Sequence, residues 1–327
     1  MFRAPDIFPP RQIAANKLIW LTLIIIAGID LALVNFSEIR IVVAYAPVFS
    51  YIFITCALIS LTYRYVLREK ALFMFGETIA QTICSSFVIM ITLLLGARLN
   101  LPLTDDTLFK IDHFLGFDWN AHAAWLNDQP NWFNEFLKFC YQSYGLQAVI
   151  LIPILFIRGH SDQGQRFVMV FLITGMITAL LATLIPAEAM YLHYHIDPTM
   201  FKHVEPAASI LHEPELMAMR NRTSDVLVYP GMGIVTFPSF HTVMAIILIY
   251  VSVPLPLMRL WAIPVNLGMI IATPFHGGHY LIDVIAGSLI GFFGVYCAEA
   301  ILPPRSQEAG LFLNQLAKNT ETDPPSA

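Results

Sequence analysis

Two short segments of the sequence bring histidines together with other groups that can do acid–base or nucleophilic chemistry. The first, residues 235–242 (VTFPSFHT), holds a serine and a histidine, and the second, residues 273–283 (TPFHGGHYLID), holds two histidines and an aspartate. An ionisable group at the edge of an apolar segment is costly to keep there, so each cluster is a candidate functional site. The apolar runs between the clusters predict a hairpin that returns the chain to the same face, where the clusters can meet.

The second cluster contains a histidine and an aspartate at the spacing of one helical turn. His279 and Asp283 are four residues apart, so on a helix they share one face. A carboxylate there accepts a hydrogen bond from one imidazole nitrogen, which fixes the tautomer and leaves the lone pair on the other nitrogen. A histidine held in this way is a candidate nucleophile. His276, three residues earlier, could equally line the site or bond to a backbone carbonyl.

The first cluster predicts the beginning of a helix. Pro238 is suited to a first helical turn and Ser239 to the N-terminal region. The N–H groups of a first turn have no partner within the helix and carry the positive end of its dipole, which favours an anion such as phosphate. Ser239 adds a hydroxyl donor, although it could instead only cap the helix. His241 lies within the same turn and could protonate a leaving oxygen.

Together the two clusters predict phosphoryl transfer, a reaction that depends mainly on in-line geometry and charge neutralisation. In this interpretation His279 attacks phosphorus and forms a phosphohistidine. His241 protonates the departing alkoxide and then deprotonates the acceptor, which is water or an alcohol. This division of work requires no metal and no other cofactor.

The composition is that of a polytopic membrane protein. Of the 327 residues, 57% are hydrophobic and 13% are charged, and the mean hydropathy is +0.66. Soluble domains contain about 45–50% apolar and about 25% charged residues. The net charge of −5 is small and indicates no nucleic-acid partner. The four cysteines lie in or beside apolar segments without a CxxC spacing, which predicts buried thiols rather than disulfides or a zinc site.

We therefore expect an all-α fold, a membrane bundle of about eight transmembrane helices with a six-helix core. Eight apolar segments approach the roughly 20 residues that a bilayer requires. They are residues 18–36, 41–63, 72–96, 136–157, 167–186, 239–253, 258–275 and 280–301. An even number of spans places both termini on one side, together with eleven of the 18 Lys and Arg residues. The positive-inside rule then predicts cytoplasmic termini and a site on the extracytoplasmic face of the plasma or inner membrane.

The predicted domain organisation follows from these segments. Residues 1–16 form a cytoplasmic N-terminal tail, residues 17–70 two additional transmembrane helices, and residues 71–302 the catalytic membrane core. Residues 303–327 are polar and predict a disordered cytoplasmic tail.

A loop helix is predicted just after the third apolar segment. Thr104, Asp105 and Asp106 offer helix-capping chemistry, and apolar residues recur at helical spacing from Leu108 onwards. Because tryptophans follow at short intervals, the helix could lie in the membrane interface. It could equally pack on the other spans.

The two clusters resemble signature motifs of the type 2 phosphatidic acid phosphatase superfamily. Residues 237–242 (FPSFHT) are similar to its second motif and residues 279–287 (HYLIDVIAG) to its third. With residues 108–119 (LFKIDHFLGFDW), the pattern is closest to the branch that contains inositol phosphorylceramide synthases and their bacterial relatives. The similarity covers roughly residues 70–300. It implies a helical membrane core that acts on lipid phosphate esters through a phosphohistidine.

The resemblance also implies roles for individual residues. His279 matches the nucleophile, Asp283 the acid that orients it, His241 the general acid and base, and Ser239 a phosphate donor. Where the third motif usually has an arginine, six residues before the nucleophile, this chain has Thr273.

The superfamily's first motif, a lysine followed seven residues later by Arg-Pro, is also absent. The phosphate therefore needs other cations. Arg220 and Arg222, which lie just upstream of the first cluster, are our candidates, and Lys202 is nearly as suitable.

We consider functions of two classes. The first is a membrane enzyme that uses lipids as substrate, either transferring a headgroup to a lipid or polyol hydroxyl or hydrolysing a lipid phosphate. The missing phosphatase cations favour transfer. The second is a non-catalytic lipid transporter or binding protein, since Glu77 and Glu299 lie near span ends and acids in spans can mark transport paths. Solvated helix ends are the simpler interpretation of these two acids.

Overall fold

A computed structural model describes most of the chain. The described residues are 10–36, 40–43, 46–193, 195–196, 201–204, 216–223, 226–229 and 235–302. Most of the predicted N-terminal tail (residues 1–9) and the whole predicted C-terminal tail (residues 303–327) lie outside them.

Most of the described chain is helical, as expected from its apolar segments. The helices are α1 (Pro10–Phe36), α2 (Ala46–Tyr65), α3 (Lys70–Ala97), α4 (Asp105–Phe114), α5 (Trp119–Asn127), α6 (Asn131–Gln142), α7 (Tyr144–Ile157), α8 (Ser161–Leu184), α9 (Met190–His193), α10 (Phe240–Ser252), α11 (Pro256–His276) and α12 (Leu281–Ile301). Two four-residue strands, β1 (Arg40–Val43) and β2 (Val226–Tyr229), pair in parallel. The predicted helical bundle is confirmed, with this strand pair as a minor addition.

The bundle has the dimensions of an integral membrane protein. Within the described residues, five helices are long and apolar enough to cross a bilayer: α1, α3, α8, α11 and α12. The pair α6 and α7 forms a sixth apolar unit, bent by 60°. Helix α10 is apolar but shorter. All eight predicted segments coincide with α1, α2, α3, α8, α10, α11, α12 or the bent pair, and the total of eight spans stays a prediction.

The first helix begins earlier than the sequence predicted. It starts at Pro10, and Asn16, assigned above to a tail, is buried in the bundle. The Glu77 carboxylate in α3 accepts hydrogen bonds from Asn16 Nδ2 and Trp20 Nε1, both at 2.7 Å, and from Ser60 Oγ at 2.6 Å. Glu77 is therefore a cross-link between α1, α2 and α3, and the prediction of a solvated helix end is wrong for this residue.

The bend between α6 and α7 lies at Ser143. Its hydroxyl donates to the Cys140 carbonyl at 2.8 Å, a local bond that competes with the helical ladder. Gln147 donates to the same hydroxyl at 2.8 Å and exchanges hydrogen bonds with Asn266 on α11. This buried network fixes the bend, which directs the end of α6 towards the beginning of α10.

Small residues allow the helices that carry the two clusters to approach closely. A Cβ atom on Gly287 of α12 would lie 2.4 Å from the Ser239 carbonyl oxygen and 3.1 Å from Thr242 Cβ. Close packing through such residues is common in membrane helices. It sets the beginnings of α10 and α12 side by side.

Candidate active site

The first cluster lies at the start of α10, which begins at Phe240, so Pro238 precedes the helix and its predicted place in the first helical turn is wrong. Ser239 is the N-cap residue, and its Oγ accepts hydrogen bonds from the Thr242 amide at 3.4 Å and the Thr242 hydroxyl at 3.3 Å. The capping role considered for Ser239 is therefore present, and its side chain is fully buried. His241 lies in the first turn with a half-buried side chain.

The second cluster lies where α12 begins. The Asp283 carboxylate Oδ2 accepts a hydrogen bond from the Tyr280 amide at 2.9 Å and lies 3.2 Å from His279 Nδ1. Because Tyr280 is the N-cap and Asp283 the third helical residue, this is a capping-box arrangement. His279 precedes the helix instead of sharing its face, but the expected contact with Asp283 forms.

The pair His279 and Asp283 is enclosed by protein. The residues are 3% and 0% exposed. With the carboxylate on Nδ1, the tautomer that fits places the proton on Nδ1 and the lone pair on Nε2. Nε2 is then the unprotonated nitrogen of the ring.

The two clusters meet, as their positions in the sequence suggested. The Ser239 amide donates to the Asp283 main-chain carbonyl at 3.1 Å. A bond between these two residues joins the segment that carries His241 to the segment that carries His279.

A tyrosine from α6 lies between the two histidines. The Tyr141 ring stacks on the His241 imidazole, with centroids 3.9 Å apart and planes at 17°. At Gly277, a Cβ atom would lie 2.7 Å from the Tyr141 hydroxyl oxygen and 2.7 Å from His279 Cδ2. The Tyr141 hydroxyl oxygen and His279 Cδ2 are therefore no more than twice 2.7 Å apart. Tyr141 was not among the residues predicted from the sequence, because its contacts depend on the bend at Ser143.

The glycine turn before His279 has the role expected of it. Gly278 has a φ of +72°, a conformation that glycine adopts without strain, and its carbonyl accepts the Met190 amide at 3.0 Å. Gly277 lacks the Cβ that would displace Tyr141. His276, the last residue of α11, is 1% exposed, and both roles considered for it stay open.

Two aspartates of α4 hold the beginning of α12. Asp112 accepts the Leu281 amide at 2.7 Å and the Ile282 amide at 2.9 Å. Burial raises the pKa of Asp112, and these two N–H groups oppose the shift. Asp105 accepts the Tyr280 hydroxyl at 3.0 Å and the Glu188 amide at 3.2 Å. The resemblance of residues 108–119 to the family was the only signal for Asp112 in the sequence.

The loop helix α4 packs on the rest of the protein, which is one of the two alternatives considered for it, and its place in the membrane interface stays a prediction. Leu108 is 3% exposed in the core, whereas Phe114 is 89% exposed. Thr104 is the N-cap residue but makes no side-chain capping bond, and its hydroxyl donates to the Pro186 carbonyl instead. The predicted capping by Thr104 is therefore wrong.

The candidate phosphate cations have different surroundings. Arg220 is 5% exposed, and its Nη2 donates to the Leu101 carbonyl at 2.6 Å. Burial lowers the pKa of Arg220, and the carboxylates of Glu188 and Asp105 oppose that shift. Its side chain lines a cleft together with Thr236 and Phe237 of the first cluster. Arg222 and Lys202 are exposed.

Thr273 does not replace the arginine usual at its position. It is fully buried, and its hydroxyl donates to the Met269 carbonyl at 2.8 Å. The site therefore has two histidines, one of them paired with a buried aspartate, and no arginine from the third motif.

Comparison with a family model identifies the family of the chain. No curated protein and no solved structure matches the chain. The family model described as the PAP2 superfamily matches residues 106–297, which run from the first turn of α4 into α12 and include both clusters. Since the matched segment is more than half of the chain and contains both histidine motifs, the protein belongs to the PAP2 superfamily.

Proposed function

We propose that the protein is a membrane-embedded lipid phosphotransferase that works through a phosphohistidine at His279 without a metal ion. The single observation that supports this most directly is the buried His279–Asp283 pair at 3.2 Å, held beside the helix that carries His241. Membership of the PAP2 superfamily supports an enzyme acting on lipid phosphates.

In the first half-reaction, Nε2 of His279 attacks the phosphorus of a lipid phosphate ester. A P–N bond forms, the P–O bond to the leaving alcohol breaks, and His241 donates a proton to the departing oxygen. The Asp283 carboxylate stabilises the positive charge that develops on His279.

In the second half-reaction, an acceptor hydroxyl enters where the first alcohol left. His241, now neutral, takes the proton of that hydroxyl while its oxygen attacks phosphorus and the P–N bond breaks. The products are a new phosphate ester and the original protonation state of both histidines. With water as the acceptor, the same steps give a phosphatase.

The charge of the site favours a diester donor, and hence headgroup transfer to a lipid or polyol hydroxyl. A phosphomonoester carries up to two negative charges near neutral pH, whereas a phosphodiester carries one. The carboxylates of Asp105, Asp112 and Asp283 all bond within residues 279–283, and Thr273 stands where relatives carry an arginine. This balance supports the branch resembling inositol phosphorylceramide synthases. A lipid phosphate phosphatase is the second candidate.

A transporter or binding protein without chemistry is the candidate of another class. Its support was the pair of acids near span ends. Glu77 accepts three hydrogen bonds from α1 and α2, and Glu299 accepts one from Tyr250 at 2.6 Å and lies 3.7 Å from Arg166. Both acids therefore have structural partners, which weakens that alternative.

The experiment uses the full chain in detergent with EDTA and a phospholipid labelled in its headgroup phosphate. Transfer gives a new labelled lipid when an alcohol acceptor is added, and hydrolysis gives water-soluble labelled phosphate or headgroup phosphate. His279→Ala should abolish both products and the acid-labile phosphoenzyme. His113→Ala, which removes an exposed histidine of α4, is the matched control. Full turnover by His279→Ala would contradict the proposal. So would a wild type that is inactive in EDTA and recovers turnover when a metal ion is added.

We further propose that the site opens on the extracytoplasmic face, with both termini cytoplasmic. The charge distribution of the sequence supports this orientation. An exposed position of α4, such as Lys110, replaced by cysteine should react with an impermeant maleimide added to intact cells. Labelling only after permeabilisation would reverse the orientation.

A further inference from the structure

The site lacks the arginine that related proteins place before the nucleophile, so the phosphoryl oxygens need other donors. We infer that the hydroxyl groups of Tyr141 and Tyr191 bind the non-bridging oxygens of the phosphoryl group that His279 attacks. This inference rests on the proposed function and names the groups that recognise the substrate's anion.

The position of Tyr141 supports this assignment. Its ring stacks on His241 at 3.9 Å, so the phenol is fixed relative to one histidine. Its hydroxyl is 2.7 Å from a Cβ position at Gly277, and His279 Cδ2 is at the same distance from that position. A group bound between the two imidazoles is therefore within reach of the Tyr141 hydroxyl.

The hydroxyl also lies close to position 273, where relatives carry the arginine. The Thr273 carbonyl oxygen is 2.7 Å from the same Cβ position at Gly277. The Thr273 side chain, however, turns back to the Met269 carbonyl. The Tyr141 hydroxyl thus approaches from α6 the region that an arginine side chain at position 273 would approach from α11.

Tyr191 provides the second, independent observation. It is 2% exposed, and its hydroxyl has no hydrogen-bond partner within the described part of the chain. Burial, and to a smaller extent the neighbouring Tyr141 phenol, raise the pKa of Tyr191 well above its usual range. The phenol therefore stays neutral and keeps its proton to donate.

A buried hydroxyl without a partner lowers stability, because it has lost its hydrogen bonds to water. Such a group is expected where a bound molecule completes its bonding. Tyr191 is held at the site by its neighbour Met190, whose amide donates to Gly278 at 3.0 Å, and by the Trp119 ring at 4.9 Å from its own. Tyr191 thus belongs to the same buried cluster as Tyr141, and its chain neighbour is bonded to the glycine turn that precedes His279.

The test measures binding of inorganic orthovanadate, which mimics a transferring phosphoryl group, to the full chain in detergent with EDTA. Tyr141→Phe keeps the ring on His241 and removes only the hydroxyl. We expect its dissociation constant for vanadate to rise about 10- to 100-fold, the range for a lost hydrogen bond to a charged group. Tyr296→Phe, which makes the same change on an exposed residue of α12, should bind as the wild type does.

Tyr191→Phe separates a ligand-binding role from a structural one. Removal of an unpartnered buried hydroxyl should raise the midpoint of thermal unfolding, while vanadate affinity falls. A purely structural tyrosine would not give this opposite pair of effects.

The outcomes distinguish this inference from the proposed function. If the wild type binds vanadate and His279→Ala does not, but Tyr141→Phe and Tyr191→Phe bind as tightly as the wild type, the inference alone is wrong. If the wild type binds no vanadate, or His279→Ala binds it unchanged, the phosphohistidine proposal and the inference fail together.

Discussion

A single methyl group at Gly277 tests whether the two histidines share one site. In Gly277→Ala, the new Cβ would lie 2.7 Å from three atoms: the Tyr141 hydroxyl oxygen, His279 Cδ2 and the Thr273 carbonyl oxygen. Ordinary contacts begin at 3.4 Å, so each neighbour is about 0.7 Å too close. Because the φ of Gly277 is −97°, the backbone itself accepts alanine and the effect is steric.

The three neighbours cannot all give way without cost. The Thr273 carbonyl belongs to the backbone of α11, so the displacement falls mainly on Tyr141 and His279. Overpacking of this kind costs about 1–3 kcal/mol of stability. A reacting group misplaced by about 1 Å can lose about 100-fold in rate. We therefore expect kcat to fall about 100-fold, with a smaller change in KM.

The assay is labelled phospholipid turnover in detergent, together with thermal unfolding of the same samples. Gly28→Ala is the matched control, because a Cβ there meets no atom within 4 Å. In the middle of α1 this control should raise stability by about 0.5–1 kcal/mol and leave turnover unchanged. Wild-type turnover in a folded Gly277→Ala would refute the geometry deduced for Tyr141 and His279.

Three further substitutions test separate parts of the site. Asp283→Asn should leave the protein folded but lower the rate of phosphoenzyme formation by about 10³- to 10⁴-fold in single-turnover measurements, because the amide cannot hold the reactive tautomer of His279. A loss under about tenfold would contradict the role of Asp283. Asp112→Ala should lower the free energy of unfolding by about 1–3 kcal/mol in denaturant titrations, since two N–H groups of α12 lose their acceptor. An unchanged denaturation midpoint would show that water replaces the carboxylate as acceptor. Ser239→Ala should cost about 1 kcal/mol through the lost cap, and Ser239→Thr should restore both thermal stability and turnover. A threonine variant as impaired as the alanine variant would contradict the capping role.

The sequence predicted the bundle and the meeting of the two clusters for the same physical reason. Apolar segments of bilayer length report spans directly, and a hairpin of two such segments returns the chain to its starting face. The contact between Ser239 and Asp283 follows from that topology. The ends of helices were less predictable: α1 begins at Pro10, and its residues Asn16 and Trp20 bond to the half-buried Glu77, sixty-one and fifty-seven residues away.

Tyr141 could not be predicted from its neighbours in sequence. Its contact with His241 requires the 60° bend between α6 and α7, and that bend depends on Ser143, Gln147 and Asn266. Gln147 and Asn266 are 119 residues apart, and either alone is an ordinary polar residue in an apolar segment. Asp112 is similar, because its two hydrogen bonds reach residues 169 and 170 positions away.

The structure changes one part of the chemical expectation, the use of helix N-termini to hold phosphate. At α12, the carboxylates of Asp283 and Asp112 already accept the amides of Tyr280, Leu281 and Ile282. A phosphate could take those amides only by leaving two aspartates buried without their donors, which is costly.

At α10, where the sequence predicted the anion cradle, the cap has already bonded part of the first turn. Ser239 Oγ accepts the Thr242 amide, the Ser239 carbonyl accepts the Val243 amide, and the Ser239 amide itself is bonded to Asp283. The amides of Ser239, Thr242 and Val243 are therefore already bonded, and we expect side chains to supply further donors to the anion. The Thr273 hydroxyl already donates to the Met269 carbonyl, and Arg220 bonds to Leu101 beside two carboxylates. The phenols of Tyr141 and Tyr191 are therefore the donors that the arrangement of the site favours.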